Sequence, residues 1–130
     1  MTKSELIEAL IETGSTEENY GLPVFTIGGC EYAIGTDEEA TDAAKECIKN
    51  SVWAFNADFL ACHIEALNDG QINALRGDSC EDCNDALVAL LDDFDEFADA
   101  AISADGRGHF ISHYDGEEVE EGEYFIYRVN

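Results

Sequence analysis

The stretch from Val24 to Ile34 constrains the fold most. Val24-Phe25-Thr26-Ile27 and Cys30-Glu31-Tyr32-Ala33-Ile34 are two strand-forming runs separated only by Gly28-Gly29. A two-residue primed turn requires positive φ, which glycine adopts without steric cost, so these residues read as a β-hairpin. Directly after it, Thr36 and Glu39 have the spacing of a capping box, with Asp37 and Glu38 in the first turn, where negative charge suits the helix dipole. That helix is expected to reach about Asn50 and to bury Ala40, Ala43, Ala44, Cys47 and Ile48. A hairpin that feeds straight into a helix makes the chain α+β.

The remaining segments fill in that class. Residues 3–13 read as a helix with Leu6, Ile7, Leu10 and Ile11 on one face and Glu5, Glu8 and Glu12 on the other, stopped at Gly14. A second helical stretch is expected near 57–67, closed by Asn68-Asp69-Gly70, with Trp53, Phe55, Phe59, Leu60 and Ile64 as the aromatic centre of the core. The longest helix is expected over roughly 80–104, capped by Asp78 or Ser79 and ended by Asp105-Gly106. Its apolar stripe runs through Cys83, Ala86, Leu87, Leu90, Leu91, Phe94, Phe97, Ala98, Ala101 and Ile102. In the tail, His109–His113 and Tyr124–Val129 read as two strands joined by an Asp115-Gly116 turn and an acidic segment. With 130 residues the expectation is a single domain over 1–130: helices on a small antiparallel sheet, with N-terminal and C-terminal hairpins.

Charge then narrows the function. The chain holds 30 Asp and Glu against 6 Lys and Arg, a formal −24. Self-repulsion of that size opposes a compact state, and solubility needs only a net charge of about 2–8. Yet 45% of the residues are hydrophobic, the composition of a folding protein and not of a disordered acidic tail. The partners such a field attracts are basic, and basic surfaces commonly bind nucleic acid. The bland alternative is an acid-rich solvated surface of the halophilic kind. Five cysteines and abundant large apolar residues run against it.

The acids also cluster. Glu81, Asp82, Asp85, Asp92, Asp93, Asp95, Glu96 and Asp99 fall mostly opposite the stripe of the long helix, with no Lys or Arg between Arg76 and Arg107. Like charges at i,i+3 and i,i+4 destabilise a helix by a few tenths of a kcal/mol per pair, so stability alone does not select them. Glu117, Glu118, Glu120, Glu121 and Glu123 form a second cluster, and Asp37, Glu38 and Glu39 a third. These sixteen carboxylates are the candidate phosphate-mimicking residues. Duplex DNA carries a charge roughly every 1.7 Å along its axis, so 24 net charges correspond to about 12 base pairs. Tyr20, Tyr32 and Tyr114 are candidate anchors for the same contact.

Other chemistry is weaker. Cys80-Glu81-Asp82-Cys83 is a C-x-x-C and Cys62-His63 a second soft-ligand pair, which with His109 or His113 allow a tetrahedral zinc site or a redox module. The spacing matches no regular zinc finger, so no metal or other cofactor is expected. Asp92-Asp93-Phe94-Asp95-Glu96 lacks the alternation and central glycine of a calcium loop. Gly106-Arg107-Gly108 lacks the lysine and strand-to-helix context of a phosphate loop. No nucleophile sits in a catalytic context, so no catalytic residue is nominated. No run approaches the ~18–20 apolar residues of a membrane span, and the start MTKSELIEALIETG lacks the basic opening and continuous apolar stretch of a secretory leader. The expectation is a cytoplasmic, non-enzymatic protein that contacts neither membrane nor nucleic acid directly.

The stretch Asp105-Gly106-Arg107-Gly108-His109-Phe110 through Tyr114–Glu118, with the ending Tyr124–Asn130, resembles small accessory proteins of bacteriophages. In size and acidity the whole chain resembles phage inhibitors of host defence, the anti-restriction and anti-CRISPR proteins that imitate DNA. That resemblance implies a monomer or homodimer in the host cell cytoplasm, bound to the basic DNA-binding channel of a nuclease or CRISPR effector. Outside that class stand the Cys80/Cys83 metal-binding or redox module and a phage structural or assembly protein.

Overall fold

The computed structural model describes residues 3–15, 17–77 and 80–130. Its element order is α1 (Lys3–Thr13), β1 (Glu17–Asn19), β2 (Leu22–Ile27), β3 (Cys30–Thr36), α2 (Asp37–Asn50), a 3-10 turn Val52–Ala54, α3 (Ala57–Ala61), α4 (Asp69–Arg76), a 3-10 turn Cys80–Cys83, α5 (Asn84–Leu90), α6 (Phe94–Asp105), α7 (Arg107–Ile111), β4 (Val119–Glu121) and β5 (Tyr124–Arg128). The class is α+β. The chain divides into two compact units, residues 1–47 with 102–130, and residues 48–101; the boundaries fall inside α2 and α6.

The first unit is built on one antiparallel sheet in the order β1-β2-β3-β5-β4. The hairpin forms as the sequence requires: Gly28 and Gly29 take φ of 59° and 82°, and Ile27 pairs with Cys30. The capping box is also present, with the Thr36 N–H donating to Glu39 Oε1 at 2.9 Å and the Glu39 N–H to Thr36 Oγ1 at 3.4 Å. All five apolar positions nominated on α2 are buried. Against one sheet face, Ile7 of α1 packs with Phe25 and Ile34, flanked by Leu10, Ile11, Tyr32, Tyr124 and Ile126. Leu6, expected on that buried face, is 47% exposed.

The tail corrects the sequence reading. Residues 107–111 are the helix α7 and not a strand, because Gly106 (φ 85°) ends α6 and the chain re-enters a helical turn that buries Phe110 and Ile111. The strand that pairs β5 comes instead from the acidic segment: Val119 faces Ile126 and Glu121 faces Tyr124 across the turn at Gly122. The hairpin is therefore 119–128. Its strand β5 continues the sheet beside β3, pairing Tyr127 with Ala33 and Ile126 with Ile34. β1, which the sequence reading lacks, adds a three-residue edge on β2.

The second unit is helical. Val52, Leu60, Ile64, Ile72, Leu87 and Phe97 are fully buried. Phe97 is in ring contact with Phe55 at 5.0 Å, Phe59 at 5.2 Å and His63 at 5.3 Å. The expected helix over 57–67 stops at Ala61. Asn68 does not close it; its side chain accepts the Gln71 N–H at 2.8 Å and Gln71 Oε1 accepts the Asn68 N–H at 2.9 Å, a capping box that opens α4. The single long helix over 80–104 is likewise two, broken where Leu91 turns extended (φ −60°, ψ 133°). The break leaves Cys83, Leu87, Leu91, Phe97, Ala98 and Ala101 of the expected stripe buried, while Leu90, Phe94 and Ile102 are half-buried and Ala86 is exposed. The cap expected at Asp78 or Ser79 lies outside the described residues.

Candidate partner-binding surfaces

The sixteen nominated carboxylates divide evenly between the two units. Glu81, Asp82, Asp85, Asp92, Asp93, Asp95, Glu96 and Asp99 belong to the helical unit, which holds twelve acids against Lys49 and Arg76. Asp37, Glu38, Glu39, Glu117, Glu118, Glu120, Glu121 and Glu123 belong to the sheet unit. Fifteen of the sixteen are solvent-exposed; Glu121 is half-buried.

In the helical unit the break at 91–93 gives two acids structural work. Asp92 Oδ2 accepts the Glu65 N–H at 3.0 Å, and the Asp92 N–H donates to the His63 carbonyl at 3.0 Å. Asp93 Oδ1 accepts the Glu96 N–H at 3.2 Å, the geometry of an N-cap on α6. The remaining six sit on separate short helical segments and not on one rod: Glu81 and Asp82 in the 3-10 turn Cys80–Cys83, Asp85 in the first turn of α5, and Asp95, Glu96 and Asp99 on α6. Asp85, Asp95 and Glu96 lie in first turns, where the helix dipole favours negative charge and offsets part of the mutual repulsion. Arg76 is directed elsewhere: its Nη1 donates to the carbonyls of Trp53 at 3.0 Å and Phe55 at 2.6 Å.

In the sheet unit one cation organises the acids. Arg107, 12% exposed, donates from Nη1 to Asp37 Oδ1 at 2.7 Å and from Nε to Glu118 Oε1 at 2.8 Å. The same Nη1 reaches Thr41 Oγ1 at 3.1 Å, and the guanidinium lies 4.5 Å from the centroid of the Phe125 ring. Burial alone lowers the pKa of this group, and the bonds to Glu118 and Asp37 more than reverse that, so the net shift is upward. The Tyr127 hydroxyl donates to the same Glu118 oxygen; burial first and this bond second push its phenol well above the ordinary value. Asp37 and Glu118 thus hold the fold together, as does Glu39 in the capping box. Sequence reasoning weighed Arg107 only as part of a glycine-flanked loop and not as a partner of the acids, although it is the one Lys or Arg between Arg76 and Arg128.

Asp115 supports the turn after α7. Its Oδ1 accepts the Glu117 N–H at 3.0 Å and the Ser112 hydroxyl at 2.8 Å, and these bonds hold its pKa below the usual carboxylate range. Of the aromatic candidates, Tyr114 is exposed, with Arg128 stacked 3.6 Å from its ring centroid. Tyr20 and Tyr32 are half-buried, Tyr20 lying 6.0 Å from His113.

The described soft-ligand residues form no cluster within either unit. Cys62 is exposed and its thiol donates to the Asp58 carbonyl at 3.3 Å, while Cys83 is buried in the apolar stripe. His63 is packed on Phe59 and Phe97. His109 lies on α7 and His113 beyond it, so the two are not on the one strand expected over His109–His113. Among the described residues no three His, Cys, Asp or Glu side chains gather in a metal-holding group, and the Cys80 side chain lies outside those described. No helix among them is long and apolar enough to cross a membrane. No protein-family model, curated protein or solved structure matches the chain.

Proposed function

We propose that this protein is a phage-encoded, non-enzymatic inhibitor of a nucleic-acid-binding defence effector, a CRISPR effector or restriction nuclease, acting in the host cytoplasm as an acidic mimic of DNA. The observation that supports this reading is the exposure of fifteen of the sixteen candidate carboxylates, in a chain whose six Lys and Arg cannot neutralise thirty acids. Carboxylates fixed on helix turns and on a hairpin present negative charge at defined positions, as a phosphate backbone does. They would meet the Lys and Arg that otherwise contact DNA. Complementary charge accelerates association and makes it salt-sensitive.

The structural acids sort from the available ones. Asp37, Glu39, Asp92, Asp93 and Glu118 are engaged in the internal bonds described above. The mimic surface is carried by exposed Glu81, Asp82, Asp85 and Glu96 in one unit and by Glu38, Glu117, Glu120 and Glu123 in the other. Converting Glu81, Asp82, Asp85 and Glu96 to Lys tests it: the variant keeps its helical circular dichroism and loses inhibition of the target's DNA binding, by about tenfold or more at low salt. Undiminished inhibition by that variant removes the helical unit from the contact.

A further inference from the structure

One face of the sheet unit carries a feature that charge does not explain. Between α1 and the sheet lies an open groove of about 350 Å³, lined by Leu6, Leu10, Ile27, Tyr32, Val119 and Ile126 among others. Among the described residues five large hydrophobic side chains are exposed, and three of them border this groove: Leu6 at 47%, Ile27 at 40% and Val119 at 53%. Scattered single exposures are ordinary, but exposures gathered on one concavity mark a contact surface.

The surroundings say what would fit. Glu121 lines the groove beside Val119. Tyr124, packed on the same core cluster, has its phenol raised first by burial and then by Glu123 and Glu8, which places carboxylates from the hairpin and from α1 around this face. Arg128, paired with Tyr32 on this sheet, has its guanidinium over Tyr114. An apolar floor with an acidic border complements a surface that is apolar along one stripe and cationic beside it. A second copy brings another −24 to the contact and is disfavoured.

We propose that the groove between α1 and the sheet docks the apolar stripe of a cationic amphipathic helix on a partner protein. Leu6 and Leu10 stand one helical turn apart, so the groove wall offers the spacing that anchors at i and i+4 of an incoming helix use. The contact is independent of phosphate imitation, since it uses apolar residues in the sheet unit and persists in salt that releases purely ionic partners.

The test uses the full chain and two fluorescein-labelled peptides of about four helical turns. One is an amphipathic Leu/Lys peptide, the other a Ser/Lys peptide of equal charge, and binding is read by anisotropy at about 0.5 M NaCl, where screening is strong. The expected result is tighter binding of the Leu/Lys peptide, weakened about tenfold in a Leu6→Ser, Ile27→Ser, Val119→Ser variant of unchanged charge. Val119→Ser alone, at the sheet edge, gives the same direction if the triple variant melts early. Equal binding of the two peptides, or an unchanged affinity in the variants, overturns the proposal. So does a sedimentation-detected dimer that the same substitutions dissociate, which would make a second copy the occupant. Loss of DNA mimicry in the Glu81, Asp82, Asp85 and Glu96 variant leaves this result untouched, so the two readings fail separately.

Discussion

The carboxylate of Asp92 accepts the backbone N–H of Glu65 at 3.0 Å, and this bond helps to pin the segment after α3 beside the break that separates α5 from α6. An acid in what reads as the polar face of a long helix is in fact a tertiary ligand for a backbone donor. Asp92→Ala is expected to destabilise the protein by about 0.5–1.5 kcal/mol, the net worth of one intramolecular hydrogen bond whose exposed donor water can then reach. Glu96→Ala, whose side chain lies on the exposed face of α6, is expected to stay within about 0.5 kcal/mol of the parent. Urea denaturation of both variants checks the contrast.

Arg107 joins α7, α2 and the hairpin through Asp37 and Glu118. Replacing it by Met keeps much of the stem but removes the guanidinium bonds to Thr41 and Asp37 and leaves Glu118 with the Tyr127 hydroxyl alone. A loss of about 2 kcal/mol is expected, moderated because Asp37 is 78% exposed and its charge is solvated. A variant that melts with the parent would show that the hub contributes geometry alone.

Gly108 tests the helix in the tail. A Cβ there would meet the Gly116 carbonyl oxygen at 2.5 Å and the Glu117 carbonyl carbon at 2.9 Å, both rigid backbone. Gly108→Ala is therefore expected to cost about 1–3 kcal/mol despite the better helix propensity of alanine. Had 107–111 been the strand that its alternation suggests, no such clash would arise.

Asp115 gives a pH signature. Its folded pKa is depressed by the bonds from Glu117 and Ser112, so the folded state holds fewer protons than the unfolded one at acidic pH. The stabilisation is complete above the unfolded value of about 3.9 and is lost as pH falls through the folded value. The stability difference between the parent and Asp115→Asn should accordingly be constant from neutral pH down to about 5 and shrink below 4. A difference that grows on acidification contradicts the assignment.

What the sequence disclosed follows from how local each signal is. The Gly28-Gly29 hairpin, the Thr36/Glu39 box and the buried face of α2 were legible because turn chemistry, capping and helical period act within a few residues. The α5–α6 break was not, because the bond that holds it joins Asp92 to Glu65, 27 positions away. Asn68-Asp69-Gly70 misled for a related reason: the residue types that end helices also cap them, and only Gln71 three positions on distinguished the two. In the tail, His109–His113 alternates as a strand does, yet Gly106 and the packing of Gly108 on residues 116–117 impose a helix. The acidity itself was plain. Which acids are internal ligands depended on where Arg107 and the backbone donors lie in space.

The most direct measurement of the central claim is capture of a tagged copy's partners from bacterial lysate at about 50 mM salt, followed by elution with rising salt or with duplex DNA. The account predicts a nucleic-acid-binding enzyme that is released as salt rises and displaced by the duplex, with its DNA binding blocked by the pure protein. Capture of no basic protein at low salt, or a captured enzyme that still binds its DNA in the presence of saturating protein, would contradict it.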